Sequence, residues 1–405
     1  MKERRYDIDW MRVIAMLGVF VLHCTRFFCT EDWHVKAPVE QQNDIWAVMR
    51  GIFLSLWLME MFFFAAGFAT NYVLRRRTTK QYLVERFKRL VIPLYTVGLF
   101  ILVVPQAYFE GVTHGQLTGS FWQNVPLYYR NLPGQIFSLP NPLYPLSFVP
   151  YGFPGHLWFN QMLIVVTVLM LPVLLFLKSG RGLRFIDRLA EWAMRRGGIF
   201  LFVIPLFIVR AGLRWIPMTG GRTWGETLWY ALYFIYGYIV AGDDRFTESI
   251  KRHGWFCLPM WFVFFLGLAG TALFALGFDG GIPGQGLSLG YFLYETAWSV
   301  SSWSAMVFLL SLAARYLNHT NKFLAYSNEA VLPFYLFHQT VILIVGWFIV
   351  PLEMGVLAKF LLIAVISFPL ILLLYEVFVR RINFMRFLFG MTPLKKRLAA
   401  SEKTS

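Results

Sequence analysis

The sequence predicts an all-α, polytopic integral membrane protein with about ten transmembrane helices and both termini in the cytoplasm. Hydrophobic residues make up 58% of the 405 residues, whereas charged residues make up 15%. Apolar segments of about 20 residues, the length that crosses a bilayer as a helix, recur along the whole chain. Lysine and arginine are concentrated in alternate loops between these segments. A water-soluble domain has neither the apolar content nor this charge pattern.

Ten segments are long and apolar enough to be predicted as spans, and the sixth is the shortest. They cover residues 9–29, 45–74, 91–109, 156–177, 198–216, 227–241, 255–277, 290–313, 329–350 and 356–379. We interpret residues 1–380 as a single transmembrane domain and residues 381–405 as a basic cytoplasmic tail.

The charge pattern predicts the orientation of these spans. Loops on the side of both termini carry 28 lysines and arginines, whereas the opposite loops carry only Lys36, Arg130 and Arg222. Positive loops stay in the cytoplasm, which predicts a multi-pass membrane protein with both termini on the cytoplasmic side. The formal net charge of +15 therefore reflects membrane topology, and no nucleic-acid partner is predicted.

The first predicted span carries Arg12 and His23. Eleven helical steps return to within about 20° of the starting direction, so both side chains lie on one face, about 16 Å apart along the axis. Ionisable groups within a span cost roughly 2.5–3.5 kcal/mol on insertion scales. One interpretation is a structural pair bonded to neighbouring helices. The other is a reaction centre that is reached from both sides of the membrane.

Other ionisable residues fall at matching depths. Counting about 1.5 Å per residue, Glu60 is level with Arg12, which predicts an ion pair between them because an unpaired charge there would be more costly. A further group lies in the outer half of the spans, with His338 at about mid-depth, and for this group we predict a water-filled outer cavity with a positive lining. This group consists of Arg50, Arg210, Arg214, Glu295, His156 and His338.

Basic residues also flank the third span on the predicted inner side, namely Arg75, Arg76, Arg86 and Arg89. The positive-inside rule alone accounts for such a cluster. A phosphate-binding cradle is the alternative, because several guanidinium groups together bind phosphate oxygens by paired hydrogen bonds.

Several motifs together resemble the membrane acyltransferase-3 family over nearly the whole chain. Arg12 and His23 match its first motif, and the run from Phe62 to Phe68 matches a second, with Ala66 in place of the usual serine. Further matches are Arg86-x-x-Arg89 followed by Ile92-Pro93, Gly155-His156-Leu-Trp158-Phe159 and Tyr335-Leu-Phe-His338. Within the family, Trp33-His34-Val35, Leu374-Tyr-Glu376 and Arg386-Phe-Leu-Phe-Gly390 resemble the periplasmic glucan succinyltransferase group.

The resemblance implies transfer of a succinyl or other short acyl group from cytoplasmic acyl-CoA to hydroxyls of a periplasmic glucan. His23 would act as general base or accept the acyl group itself. Arg12, Arg75, Arg76, Arg86 and Arg89 would bind the donor. The outer group, together with Trp158, would bind the acyl group and the sugar. One of the arginines Arg50, Arg210 and Arg214 would bind the succinyl carboxylate.

The same resemblance implies acyl-CoA, succinyl-CoA in particular, as a donor substrate, with no permanently bound cofactor, no metal site, and membrane lipid as a further partner. Two alternatives remain open. One is an acetyltransferase of another cell-surface polysaccharide, and the other is a glycan transporter without chemistry. The transporter is disfavoured because the sequence shows no inverted internal repeat. The outer loop at about 110–155 caps an outer vestibule or is a surface feature.

Overall fold

The computed structural model describes residues 4–43, 56–137, 155–216, 223–278 and 288–394, and throughout these ranges the regular elements are helices. We number the principal helices α1 to α14 in chain order. The first seven are α1 Tyr6–Thr25, α2 Leu58–Arg76, α3 Thr79–Thr113, α4 Phe121–Phe137, α5 Trp158–Leu169, α6 Leu171–Lys178 and α7 Gly180–Ala193. The others are α8 Val203–Leu213, α9 Trp224–Val240, α10 Asp244–Phe278, α11 Leu289–Tyr316, α12 Lys322–Ile349, α13 Val356–Leu374 and α14 Asn383–Leu388.

Five helical segments among the described residues are long and apolar enough to cross a bilayer. They are Tyr6–Phe28, Thr79–Thr113, Leu289–Tyr316, Lys322–Ile349 and Val356–Val379. The segment Gly155–Leu169 and helix α6, which meet at an angle of 52°, make a sixth if the bent pair is one span. The all-α membrane class is therefore confirmed.

Helices also cover most of the described residues of the four remaining predicted segments, namely α2, Gly198–Leu213, α9 and α10. Gly198–Leu213 is apolar but shorter than the length required of a span. The count of ten spans and the cytoplasmic termini thus stay predictions.

The chain divides into two compact units. The first unit comprises Met1–Ala15, Val48–Thr79 and Val166–Ala325, and the second comprises Met16–Ala47, Lys80–Val165 and Tyr326–Ser405. Helix α1 contributes its first ten residues to the first unit and the rest to the second. Each unit is described separately below.

Within the first unit, α2 and α9 pack backbone against backbone. A Cβ atom built on Gly67 would lie 1.7 Å from the carbonyl oxygen of Phe234, and one on Gly237 would lie 1.9 Å from that of Phe64. Only glycine permits this approach, as is common where membrane helices pack closely. Asn71 reinforces the contact by donating a hydrogen bond of 2.9 Å to the carbonyl oxygen of Tyr238.

Within the second unit, the segment after α1 folds back as a loop that carries Trp33 and His34. Backbone hydrogen bonds of 2.9 Å connect Ala37 to Phe27 and Asn43 to Phe28. The ammonium group of Lys359 on α13 donates 2.7 Å to Gln41 Oε1. This loop and helices α1, α3 and α12 supply the polar side chains of the candidate active site.

The α2–α9 packing predicts that Gly67→Ala destabilises the protein. The added methyl group meets a backbone oxygen, which moves only if the helices separate, so we expect a loss of roughly 1–3 kcal/mol or more. Thermal unfolding in detergent measures this loss of stability. Gly267→Ala is the matched control, because no atom lies within 4 Å of its built Cβ. If both variants unfold at the same temperature, the glycine contact is not a determinant of this packing.

Candidate active site

Three histidines of the second unit form a cluster in its interior. The ring centroid of His338 lies 4.8 Å from that of His23 and 5.0 Å from that of His156, and both pairs meet edge to face. His338 is fully buried and His156 is 4% exposed, whereas His23 is half-buried. The structure therefore brings together three of the predicted site residues, which come from α1, α12 and the turn before α5.

Backbone carbonyl groups determine which ring nitrogen of His23 and His338 carries the proton. Nδ1 of His23 lies 2.7 Å from the oxygen of Val19, and Nδ1 of His338 lies 2.6 Å from that of Tyr335. A carbonyl oxygen only accepts hydrogen bonds, so Nδ1 carries the proton in the neutral form of each ring. Each ring therefore presents Nε2 as a nitrogen with a lone pair.

His156 has the opposite arrangement. Its Nε2 lies 3.0 Å from the carbonyl oxygen of Leu336 and must donate. Its Nδ1 lies 3.1 Å from the side-chain nitrogen of Gln106 and accepts. The hydroxyl of Tyr335 donates 2.6 Å to the carbonyl oxygen of His156. Both ring nitrogens of His156 are thus hydrogen-bonded, so this residue is suited to hold the adjacent side chains in position.

The Nε2 atom of His338 is buried and has no hydrogen-bond partner among the described residues. A buried polar atom without a partner costs roughly 1–3 kcal/mol, so such an atom calls for an explanation. A ligand that donates a hydrogen bond would satisfy it.

A chain of polar side chains connects the cluster to a carboxylate. Gln106 on α3 donates 2.8 Å to the hydroxyl of Thr340, and its Oε1 accepts from Gln339 at 3.2 Å. The Gln339 nitrogen also lies 2.9 Å from Nε2 of His34. His34 Nδ1 in turn contacts the carboxylate of Glu110. This chain orients the amides and imidazoles that surround the cluster.

The aromatic ring of Trp33 also contacts His23. The Trp33 ring centroid lies 5.5 Å from that of His23, and the guanidinium of Arg26 lies 4.4 Å from the Trp33 centroid. Trp158, also predicted as a site residue, begins α5 directly after the turn that carries His156.

The predicted donor-binding residue Arg12 lines a basic cavity of about 320 Å³ in the first unit. Four arginines and one aspartate line it, and its remaining lining is mostly apolar. The charged residues are Arg4, Arg5, Arg12, Arg76 and Asp9, and the others are Ile8, Ala65, Phe68, Ala69 and Tyr72. The excess of guanidinium groups suits an anion with several oxygens, such as a diphosphate.

The predicted ion pair between Arg12 and Glu60 is wrong. Arg12 lies 3.7 Å from the carboxylate of Asp9, whereas Glu60 accepts a hydrogen bond of 3.0 Å from the indole nitrogen of Trp229. Depth along a helix does not define direction around it, and Glu60 faces α9. Its Oε2 has no hydrogen-bond partner within the described part of the chain.

Arg210, Arg214 and Glu295 form one buried cluster in the first unit. Both guanidinium groups bind the carboxylate of Glu295, whose side chain is fully buried. Arg210 also lies 4.4 Å from the ring centroid of Trp298, and Arg214 lies 5.4 Å from that of Tyr294. An internal carboxylate therefore occupies the position that we expected for the carboxylate of the acyl group.

The predicted phosphate cradle is divided between the two units. Arg75 and Arg76 belong to the first unit, where Arg75 donates 3.2 Å to the carbonyl oxygen of Gly242. Arg86 and Arg89 belong to the second unit, where the backbone of Arg89 packs against Gly390. The predicted site residue Arg50 lies outside the described residues.

A largely exposed cluster of three ionisable side chains, Asp32, Glu110 and His114, lies beside His34 in the second unit. The imidazole of His114 contacts the carboxylate of Asp32 at 3.0 Å and the carbonyl oxygen of Glu110 at 2.8 Å. Ligand atoms of Asp32, Glu110 and His114 lie within 4.8 Å of one another, a spacing that a divalent cation could bridge. The same spacing is explained by the hydrogen bonds of His114 alone.

Sequence reasoning missed Gln106, Gln339, Glu110, Arg4 and Arg5. The two glutamines are neutral, and no spacing distinguishes them from other polar residues in a helix. The positive-inside rule alone explains Arg4 and Arg5, so the sequence gives no further reason to assign them to a site. A phosphate-binding hypothesis that included Arg4 and Arg5 would have identified two of the four arginines that line the basic cavity.

A neutral imidazole with a lone pair on Nε2 has the chemistry of a general base or of a nucleophile. A family model described as an acyltransferase domain matches residues 5–376. The chain thus belongs to the acyltransferase-3 family and is a membrane acyltransferase.

Curated relatives agree with this assignment. Glucans biosynthesis protein C of Escherichia coli strain SMS-3-5 / SECEC is 24% identical over 419 residues, which cover 98% of this chain and 96% of the relative. The protein of the same name from Escherichia coli K12 has the same identity and the same coverage. The predicted resemblance is therefore confirmed. No solved structure matches the chain.

The Arg210–Arg214–Glu295 cluster predicts that Glu295→Ala is strongly destabilising. Removing one partner of a buried ion pair leaves uncompensated charge and costs about 3–5 kcal/mol. Thermal unfolding of purified protein measures the change, and Glu191→Ala on the exposed surface of α7 is the matched control. Equal unfolding temperatures for the two variants would contradict a structural role for the cluster.

The His114 contacts predict a pH-dependent contribution to stability. The hydrogen bond to the Glu110 carbonyl, followed by that to Asp32, raises the pKa of His114 above 6.5. The stabilisation is fully present below the unfolded pKa and is lost as pH rises through the folded pKa. Unfolding temperatures of wild type and His114→Gln should therefore differ at pH 5.5 and converge at alkaline pH. A difference that grows with pH would show the opposite linkage.

Proposed function

We propose that this acyltransferase transfers a succinyl group from acyl-CoA on the cytoplasmic side to a hydroxyl group of a glucan on the outer side of the bacterial inner membrane. The family supports acyl transfer, and the name of the curated relatives supports a glucan as the acceptor. The histidine cluster is the single observation on which the mechanism depends.

His23 acts as the general base. Its Nδ1 is committed to the Val19 carbonyl, so Nε2 takes the proton from the sugar hydroxyl while the hydroxyl oxygen attacks the thioester carbonyl. The thioester carbon–sulfur bond then breaks, and the departing thiolate takes the proton from the imidazolium. The products are the sugar ester and free CoA. An acyl-histidine intermediate on the same nitrogen is the alternative route.

His338 binds the acceptor. Its buried Nε2 accepts a hydrogen bond from a hydroxyl of the sugar, which gives this atom the partner that the described residues do not provide. His156 packs edge to face against the His338 ring, and both of its own ring nitrogens are hydrogen-bonded. The acceptor is thus oriented by one imidazole and deprotonated by another.

The basic cavity binds the donor. Arg4, Arg5, Arg12 and Arg76 surround its phosphates, and the apolar residues of the cavity pack against the pantetheine arm. The same helix α1 carries Arg12 and His23, eleven residues apart. Acyl-CoA is a substrate in this scheme, and no permanently bound cofactor takes part.

Arg210 and Arg214 are no longer the best candidates for the succinyl carboxylate, because both bind Glu295. Arg50 keeps this role in the proposal. Comparison of succinyl-CoA with acetyl-CoA as donor, with mass analysis of the product, separates a succinyltransferase from an acetyltransferase of another polysaccharide.

The mechanism predicts that His23→Gln lowers the rate of acyl transfer about 10²–10⁴-fold, the usual contribution of a general base. Release of CoA by protein in nanodiscs, with glucan present, measures the rate. CoA binding should be retained, and His114→Gln, an exposed histidine, should transfer at the normal rate. Normal transfer by His23→Gln would remove this residue from the reaction.

A glycan transporter without chemistry would release no CoA with any acceptor. Wild-type protein that moves glucan between compartments but leaves the thioester intact would therefore overturn the enzymatic proposal.

A further inference from the structure

Helix α7, Gly180–Ala193, lies in the first unit between two apolar segments. The apolar helix α6 ends just before it, and the apolar segment Gly198–Leu213 begins shortly after it. We expect an amphipathic helix between two apolar segments to lie along the membrane surface. The basic residues of this stretch are Lys178, Arg181, Arg184, Arg188, Arg195 and Arg196.

Contacts at both ends and along one face hold α7 in place. Ser179 has an extended backbone, and its side chain accepts a hydrogen bond of 3.2 Å from the backbone nitrogen of Gly182. After the other end of the helix, Arg252 on α10 donates 3.0 Å to the carbonyl oxygen of Met194. Ile186, in the middle of the inner face, is buried. The fold therefore determines which side chains of α7 point outward.

The outward face of α7 divides into an aromatic stripe and a basic stripe. The aromatic stripe consists of Phe185 and Trp192, which are 45% and 49% exposed and, seven helical steps apart, lie within about 20° of one another. The basic stripe consists of Arg181, Arg184 and Arg188, which are exposed and fall within a sector of about 60°. Arg181 is about 40° from Phe185, so the two stripes are adjacent.

The carboxylates of α7 lie away from the aromatic stripe. Asp187 is about 160° from Phe185 around the helix, and Glu191 is about 120° from it. Asp187 is also bound by Arg245 of α10. The arginines of the basic stripe make no hydrogen bond or ion pair with another residue that the structure describes. They therefore lie between a carboxylate edge and an apolar edge, and their guanidinium groups can bind an external anion.

We propose that the outward face of α7 binds anionic phospholipids of the adjacent leaflet. Phe185 and Trp192 insert at the boundary between headgroups and acyl chains, where aromatic rings are favoured. The arginines of the basic stripe bind the lipid phosphates by paired hydrogen bonds. A soluble anion would use the arginines but leave both rings in water, so a membrane surface accounts for both stripes. This inference is independent of the acyl-transfer chemistry.

Native mass spectrometry of the full-length protein, titrated with phosphatidylglycerol or phosphatidylcholine, tests the basic stripe. A basic residue near an anionic leaflet contributes a factor of about five in affinity. The triple variant Arg181→Gln/Arg184→Gln/Arg188→Gln should therefore bind phosphatidylglycerol at least about tenfold more weakly than wild type. Its binding of phosphatidylcholine should stay unchanged. An unchanged unfolding temperature in zwitterionic detergent shows that the variant is folded.

The matched control is Lys80→Gln/Lys322→Gln/Arg381→Gln, which removes three exposed cations from separate parts of the chain. It should bind phosphatidylglycerol as wild type does. The proposal is overturned if the triple variant of α7 keeps wild-type affinity for phosphatidylglycerol, or if the control loses as much. Displacement of phosphatidylglycerol from wild type by inorganic phosphate would identify a general phosphate site and would overturn it as well.

A nitroxide label tests the depth of the aromatic stripe in nanodiscs that contain phosphatidylglycerol. The three native cysteines are buried, so a thiol-specific label reacts at an introduced, exposed cysteine. The label on Phe185→Cys should meet oxygen, which concentrates in lipid, more often than a water-soluble nickel complex. The label on Glu191→Cys should show the reverse order. Equal accessibility of the two labels to nickel would place the aromatic stripe in water and refute the proposal.

Discussion

Packing of three imidazoles in one cluster, two of them buried and His23 half-buried, imposes a constraint on which the candidate active site depends. Every ring nitrogen that is removed from water needs a partner or is energetically costly. Carbonyl oxygens of Val19, Tyr335 and Leu336 supply three of these partners at 2.6–3.0 Å and accept only. The backbone thus selects the protonated nitrogen in each ring before any substrate is bound. Two Nε2 lone pairs, of His23 and His338, are the chemical result.

Fixed tautomers matter for catalysis because no rearrangement is then needed during the reaction. A base whose proton-accepting nitrogen is already oriented acts through positioning, which contributes a large share of many enzymatic rate enhancements. The chain from Glu110 through His34, Gln339 and Gln106 holds the surrounding amides in place. In the first unit, Arg5 of the basic cavity is likewise held in one orientation by Asp7 and Thr247.

The sequence was sufficient to predict the membrane class and the position of α1. It also marked Arg12 and His23 as candidate site residues, because charge in an apolar helix is a strong signal. It also singled out His156 and His338 through motifs, which the structure places in contact. The rise per residue gives the depth of Glu60 in the membrane but not the direction of its side chain around α2. The predicted ion pair with Arg12 was therefore wrong. For the same reason, the ion pairs of Arg210 and Arg214 with Glu295 were not predicted. Neutral residues such as Gln106 carry no comparable signal, and their roles follow only from three-dimensional contacts.

The tautomers of the clustered histidines are accessible to direct measurement. Nitrogen-15 NMR of histidine-labelled protein in nanodiscs at neutral pH distinguishes a proton on Nδ1 from one on Nε2, and His→Gln variants assign the seven histidines. The account predicts Nδ1–H for His23 and His338 and Nε2–H for His156. A His23 ring with its proton on Nε2, or with protons on both nitrogens, would contradict the account.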